Sequence, residues 1–474
     1  MLTLVSLFPI LWLGCAVQAT EAPQTATPPS PRVVSVDAFG PPSLSCREAL
    51  GLANPSTAGD KPNKPYIPPD ADLDAMRHVQ VGGLQTDPAS LPGANPDALP
   101  PTPLEGTPED LARVGRVMAA ITADQHVRLS FWGASHTSAD WWTGHIRRQL
   151  QAEHGDQGHG FILPAALYKH YRGADINLCR TDGWKSWWAG RWSGPFADQL
   201  GFGGMAVTSD DADDFGWVQT TVSNPQGRRV SRYDVFTLRQ PDGGTLLASV
   251  DDSEPVPIPT LGPGPSLQIT RLLVPDGPHR LKLRPKGDGQ VRIFGVSAER
   301  EGSGVIVDTI GIRGKEARSW LQWDAELATQ GIAALGSDLV VLAYGTNEAN
   351  DPSYDMDAYR ADLRRVLTLL RRGAPDAACV LVGPTDRAKK LGQDSYAIWG
   401  RTAPVAQVQR EVAPEFGCTS WDWQTVTGGP GSMVAWMHRD PAFASKDGIH
   451  LTRAGYEWSA ERFLDALWAT VPKE

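Results

Sequence analysis

The second half of the chain alternates short, wholly apolar runs with amphipathic ones, and this rhythm restricts the fold more than any other feature. Residues 338–344 read Asp-Leu-Val-Val-Leu-Ala-Tyr, with no polar face between their ends. A strand of that composition is buried on both sides, as in a parallel sheet. Tyr359, Leu363, Val366 and Leu370 follow at helical spacing. A strand at 379–382, a helix near 400–413, a strand at 418–421 and a last helix after Thr452 continue the pattern. Strands alternating with helices predict an α/β fold, a three-layer parallel sheet with helices on both faces. The same rhythm opens at Thr107, a helix cap followed by Pro108 and two acids. Leu111, Val114, Met118 and Ile121 then share one helix face. A strand at 127–132 comes next, and after Ser138 a helix with Trp142, Ile146 and Leu150 on one side, ended by Gly155.

Residues 201–300 break the rhythm. Short alternating runs such as Leu281-Lys282-Leu283 and Val291-Arg292-Ile293 are separated by turns such as Asp242-Gly243-Gly244 and Asp276-Gly277. This pattern predicts a β-sandwich inserted into an α/β domain formed by 107–200 and 301–470. Residues 20–106 are rich in Pro, Ala, Asp and Gly, a composition that buries little and reads as a tether. Residues 2–19 are almost wholly apolar, and the first basic residue is Arg32. Residues 1–19 read as an export signal. Leu13-Gly14-Cys15 has the form of a lipobox, with Cys15 a candidate lipid anchor, although Trp12 fits that motif poorly. Val17-Gln18-Ala19 has the form of an ordinary cleavage site, and both readings stay open. A permanent span is the plainer alternative, and the run barely reaches the ~20 residues it needs.

A net charge of -10 excludes the basic stripe of a nucleic-acid surface and disfavours anionic lipid. With Cys15 set aside, Cys46, Cys179, Cys379 and Cys418 are an even number, compatible with disulfides in an oxidising compartment. Cys379 and Cys418 each open a strand. No Cys-x-x-Cys or His-Glu-x-x-His occurs, so no metal is expected.

Three segments carry candidate chemistry. Gly133-Ala134-Ser135-His136-Thr137 follows the first strand. A serine there is exposed beside helix-terminal amides that can receive a developing oxyanion, although the same residue is equally a helix cap. Tyr344-Gly345-Thr346-Asn347-Glu348 ends the strand from Asp338. Its Asn347 amide could donate to an oxyanion, or simply close a turn. Asp447-Gly448-Ile449-His450 precedes the last helix. A carboxylate three residues ahead of a histidine can fix its tautomer and steady the imidazolium.

In that order, Ser, Asn and Asp-x-x-His at strand ends resemble the SGNH (GDSL-like) hydrolases, over 107–200 and 301–470. The resemblance implies a serine esterase without cofactor, with Ser135 as nucleophile and Asp447 and His450 completing the triad. It also implies oxyanion donors from the Ser135 amide, the Asn347 side chain and a glycine amide of Asp308-Thr309-Ile310-Gly311-Ile312-Arg313-Gly314. Gly314 is the expected donor and Gly311 the alternative. Ala134 stands where that family usually has Asp. The β insert, Gly-Thr-Asn-Glu and Gly428-Gly429-Pro430-Gly431-Ser432 are similar to peptidoglycan O-acetylesterases of the periplasm. They imply an acetylated glycan as substrate and a monomer. A polysaccharide O-acetyltransferase and a non-catalytic glycan-binding lipoprotein are the alternatives.

Other signals weigh less. Gly201-Phe202-Gly203-Gly204-Met205-Ala206 fits a loose dinucleotide fingerprint but leads into a β pattern. Asp210, Asp211, Asp213 and Asp214 read as a solvated loop rather than a calcium site. Trp184, Trp187, Trp188 and Trp192 could stack on sugar rings, with core packing as the plainer reading for at least two of them.

Overall fold

A computed structural model describes residues 25–38, 77–80, 88–162, 173–190, 197–221, 224–392 and 395–472. The export signal, Cys15, Cys46 and Trp192 lie outside these residues.

The centre is a five-stranded parallel sheet of β1 (His126–Gly133), β2 (Gly304–Gly311), β3 (Leu339–Ala343), β4 (Ala378–Val382) and β5 (Thr419–Trp421), in the order β2-β1-β3-β4-β5. The apolar runs lack a polar face because both faces are covered. Leu339, Val341 and Ala343 pack on one side with Val114, Met118, Ile146 and Phe463 from helices Pro108–Thr122, Trp142–His154 and Arg453–Trp468. Val340 and Leu342 point the other way, to Ile332, Leu363, Val366 and Val405 from helices Ala325–Leu335, Met356–Gly373 and Thr402–Val412. The period of two along a strand produces this division. Thr107 caps the first helix by accepting from the Asp110 amide at 3.2 Å, and Gly155 ends the Trp142–His154 helix at φ 100°.

The second unit is a sandwich of two sheets. One joins strands Ser266–Gly277, Val230–Arg239, Val291–Glu299, Met205–Ser209 and Lys185–Trp188, with Gly160–Ile162 pairing to Val291–Glu299. The other joins Val256–Pro259, Thr245–Val250, Arg280–Pro285, Gly216–Thr220 and Ile176–Arg180. The β unit therefore begins near Gly160, about forty residues before the expected boundary at 201, because its first strands are short and lie in loop-like composition. Its apolar interior is continuous with one of the two cores of the α/β domain.

Among the described residues of 20–106, the segment read as a tether, several dock on the two units. Arg32–Ser35 adds a parallel strand beside Ser266–Gly277. Trp436 Nε1 donates to the Gly93 carbonyl at 2.9 Å, Leu104 is buried, and Glu105 and Ser420 exchange backbone bonds at 2.9 and 2.7 Å. A Pro-rich segment cannot build a core of its own, but it can dock on one that already exists, and average composition does not register this.

The discounted motifs have structural places. The Phe202 ring packs with Phe161 and Phe236, and its carbonyl accepts from Trp132 Nε1 at 2.9 Å. Gly201 to Ala206 thus belongs to the seam between the two units. Asp214 accepts from Thr181 and Ser209 at 2.5 and 2.6 Å, and no metal-binding cluster occurs among the described residues. Trp184 is buried, and Trp187 Nε1 donates to Thr208 Oγ1 at 2.9 Å.

Candidate active site

Ser135 begins a four-residue helical turn at the carboxyl end of β1. Gly133 lets the chain turn there, since a Cβ would lie 2.1 Å from Thr137 Oγ1 and 2.7 Å from the Ala343 carbonyl of β3. The Ser138 and Ala139 amides close the turn onto Ala134 and Ser135 carbonyls at 2.9 and 3.2 Å. As the first helical residue, Ser135 has an amide with no partner inside the turn.

The segment 447–450 arrives from 315 positions away. His450 Nε2 lies 2.8 Å from Ser135 Oγ, and its Nδ1 lies 2.7 Å from Asp447 Oδ2. Asp447 Oδ1 accepts from the amides of Ile449 and His450, both at 2.9 Å. Burial raises the Asp447 carboxyl, but the His450 side chain and these amides outweigh it and hold the carboxyl at about 2. The segment is locked from outside by Gly448, where φ is 70° and a Cβ would sit 2.0 Å from the Ala388 carbonyl. The Ala388 amide donates back to the Gly448 carbonyl at 2.9 Å. Ala388 begins a hairpin of Ala388–Gly392 and Ser395–Ile398, which sequence periodicity did not separate from its surroundings.

His136 does not reach Ser135 Oγ from within its own turn. Its Nδ1 lies 2.8 Å from Tyr456 Oη, and its ring stands 5.3 Å from the His450 ring. Burial and then the neighbouring His450 push its pKa down to about 3, so it is neutral.

The two glycines of the second motif, Asp308–Gly314, differ. Gly311 is the last residue of β2, paired with Gly133, and a Cβ on it would lie 2.4 Å from the Ser138 amide nitrogen. It is the close-packed floor beneath the serine turn. Gly314 occupies an exposed turn closed by the Lys315 amide on the Ile312 carbonyl at 3.2 Å, with φ 73° and open space around it. Asn347 Nδ2 donates to the Lys315 carbonyl at 2.8 Å, which ties Tyr344–Glu348 to that turn.

A cleft of about 220 Å³ opens beside Ser135, lined also by Trp141, Arg313, Ser445, Asp447, His450 and Tyr456. Trp141, Arg313 and Tyr456 were not singled out from sequence. Arg313 lies inside the second motif and so carried a signal, whereas the two aromatics had none beyond ordinary core patterning. Chemically, the arrangement offers an oriented imidazole on a hydroxyl, at the open end of a parallel sheet.

The parallel sheet thus presents Ser135 at the carboxyl end of β1, with His450 and Asp447 brought against it. Residues 286–458 match the model of the GDSL-like lipase/acylhydrolase family. Among solved structures, a peptidoglycan O-acetylesterase shares the fold at TM-score 0.62 and 24% identity, covering 79% of this chain and 97% of that one. A family two carbohydrate esterase from Clostridium thermocellum, in complex with cellohexaose, is 12% identical at TM-score 0.26, over 59% and 97% of the two chains. An acetyl xylan esterase is 17% identical at TM-score 0.27, over 34% and 81%. No curated protein matches the chain.

Proposed function

We propose that the protein removes O-acetyl groups from a glycan, peptidoglycan first, through a triad of Ser135, His450 and Asp447. The observation that carries this reading is the continuous relay Asp447–His450–Ser135, at 2.7 and 2.8 Å, opening on a solvent-facing cleft. The fold shared with a peptidoglycan O-acetylesterase over most of both chains supports the choice of substrate. The apolar leader supports work outside the cytoplasm, with Cys15 as a candidate anchor to the envelope membrane.

In this mechanism His450 Nε2 takes the Ser135 proton as Oγ attacks the acetyl carbonyl carbon. The Ser135 amide, the Gly314 amide and Asn347 Nδ2 receive the oxyanion. The sugar hydroxyl leaves with the proton held by His450. A water molecule, deprotonated by His450, then releases acetate from the acyl-enzyme. Gly314 takes the donor role because its turn is open, whereas Gly311 is packed under Ser138.

The test is acetate release from O-acetylated peptidoglycan and from acetylated xylan, by the wild type and Ser135→Ala. Release from peptidoglycan that Ser135→Ala abolishes is expected. Release from xylan alone moves the substrate, and release from neither overturns the reading. Acetyl ester appearing on an added saccharide in place of free acetate makes the protein an O-acetyltransferase.

A further inference from the structure

Glu348, the last residue of Tyr344–Glu348, is fully buried. Its two oxygens go to two different loops. Oε1 accepts from the Ala317 amide and Oε2 from the Gly345 amide, both at 2.8 Å. Ala317 lies three residues beyond Gly314, and Gly345 lies two before Asn347. Asn347 Nδ2 makes a second tie, to the Lys315 carbonyl. The turn that carries one candidate donor is thus fastened to the turn that carries the other, and Glu348 makes the bonds on the buried side.

We propose that Glu348 is a positioning residue: as a carboxylate it clamps the Gly314 turn to the Asn347 turn and fixes the spacing of two oxyanion donors. The inference rests on the oxyanion roles given to Gly314 and Asn347 above. Both partners of Glu348 are N–H donors, and a carboxylate accepts from one at each oxygen with charge assistance. Protonation removes the charge and makes one oxygen a weaker acceptor, so the bond at that oxygen loosens.

The surroundings make this protonation accessible. Burial pushes the Glu348 carboxyl up to about 7, against the pull of the Ala317 and Gly345 amides, and Glu316 adds to the rise. The phenols of Tyr344, Tyr354 and Tyr359 also face it. Arg318 is engaged by Glu316 and Asp351, at 2.5 and 3.2 Å. The clamp is therefore complete above about pH 7 and opens as pH falls through that value. The linkage to stability has the opposite sign. Because the folded value lies above the ordinary 4.5, the native state binds the extra proton between about 4.5 and 7, and stability from this group declines as pH rises across that window.

The test is the pH dependence of kcat with p-nitrophenyl acetate for the wild type, Glu348→Gln and Ser135→Ala. The wild-type acid limb should be steeper than one proton, because His450 and Glu348 must both be deprotonated. Glu348→Gln should lower kcat by on the order of 10- to 100-fold with little change in KM, since misplaced groups cost about that much. Its acid limb should have unit slope. A variant limb as steep as the wild type's overturns the clamp. Should Glu348→Gln fail to fold, the wild type alone decides, and a one-proton limb overturns the proposal. An inactive Ser135→Ala beside an unchanged Glu348→Gln limb overturns only the clamp, whereas turnover in Ser135→Ala overturns the reading of the site.

Discussion

Two histidines stand ring to ring beside Ser135, and burial separates their roles. His450 keeps a quarter of its side chain exposed and joins Ser135 to Asp447. His136 is buried, faces Tyr456 and is neutral. His450→Ala should therefore fall to the level of Ser135→Ala, and the double variant should be little worse, because groups that act as a unit are not additive. His136→Ala should retain measurable turnover. Steady-state kinetics on folded proteins check the ranking, and the reverse order would make His136 the base. In the proposed mechanism Asn347 has a double duty, since its amide also holds the Lys315 carbonyl. Asn347→Ala should lower kcat by roughly 100- to 1,000-fold, the range for loss of one oxyanion donor, with a smaller change in KM. A change confined to KM would assign Asn347 to substrate binding instead.

At the scale of elements, the edge of the sheet and its seam with the sandwich are fastened differently. Cys379 lies in β4 and Cys418 immediately before β5, and these strands are parallel neighbours. The two form a disulfide with Cα atoms 4.5 Å apart. It closes a loop across 39 positions, which in the chain-entropy account contributes about 4 kcal/mol. Reduction, or Cys379→Ser with Cys418→Ser, should lower the denaturation midpoint accordingly; an unchanged midpoint would show that strand pairing suffices. At the seam, Arg128 of β1 bonds Asp308 of β2 at 2.7 Å and Glu299 of the sandwich at 2.8 Å, all three buried. Asp308 also accepts from the Phe161 amide at 2.6 Å. Arg128→Ala leaves the buried Asp308 without its cation and Glu299 with Arg232 alone, and should cost about 3–5 kcal/mol in urea unfolding. Arg128 and Arg232 offset the burial that would raise Glu299 and hold it at about 2. Since that is below the ordinary 4.5, its contribution is complete above pH 4.5 and is lost as pH falls toward 2. Acid titration of stability should lose this component in the Arg128 variant.

For the molecule as a whole, the sandwich is not a detachable module. Its interior shares one continuous core with the side of the sheet that holds Val340 and Leu342, and Gly201 to Ala206 runs through the seam. Deleting 201–300 would bare that core, so the shortened protein should show no cooperative thermal transition. A deletion that kept the wild-type melting temperature and p-nitrophenyl acetate turnover would restore the view of the insert as separable. Substrate selection is better probed in the cleft, where Trp141 and Arg313 line the wall beside Ser135.

The sequence by itself determined whatever is decided within a few turns of chain. Two-sided apolar runs required covered parallel strands, a serine after a strand required a helix start, and Asp447 and His450 are near enough for their pairing to be local. Tertiary structure decided what depends on burial and on partners far apart in the chain. It brought His450 to Ser135 across 315 positions and buried His136 against Tyr456. It opened the Gly314 turn while packing Gly311, and gave Glu348 two donors on separate loops. It also docked the Pro-rich segment near Leu104 on a core built by other residues. Composition and spacing report a residue's preferences, but desolvation and hydrogen-bond satisfaction depend on neighbours that only the folded chain supplies.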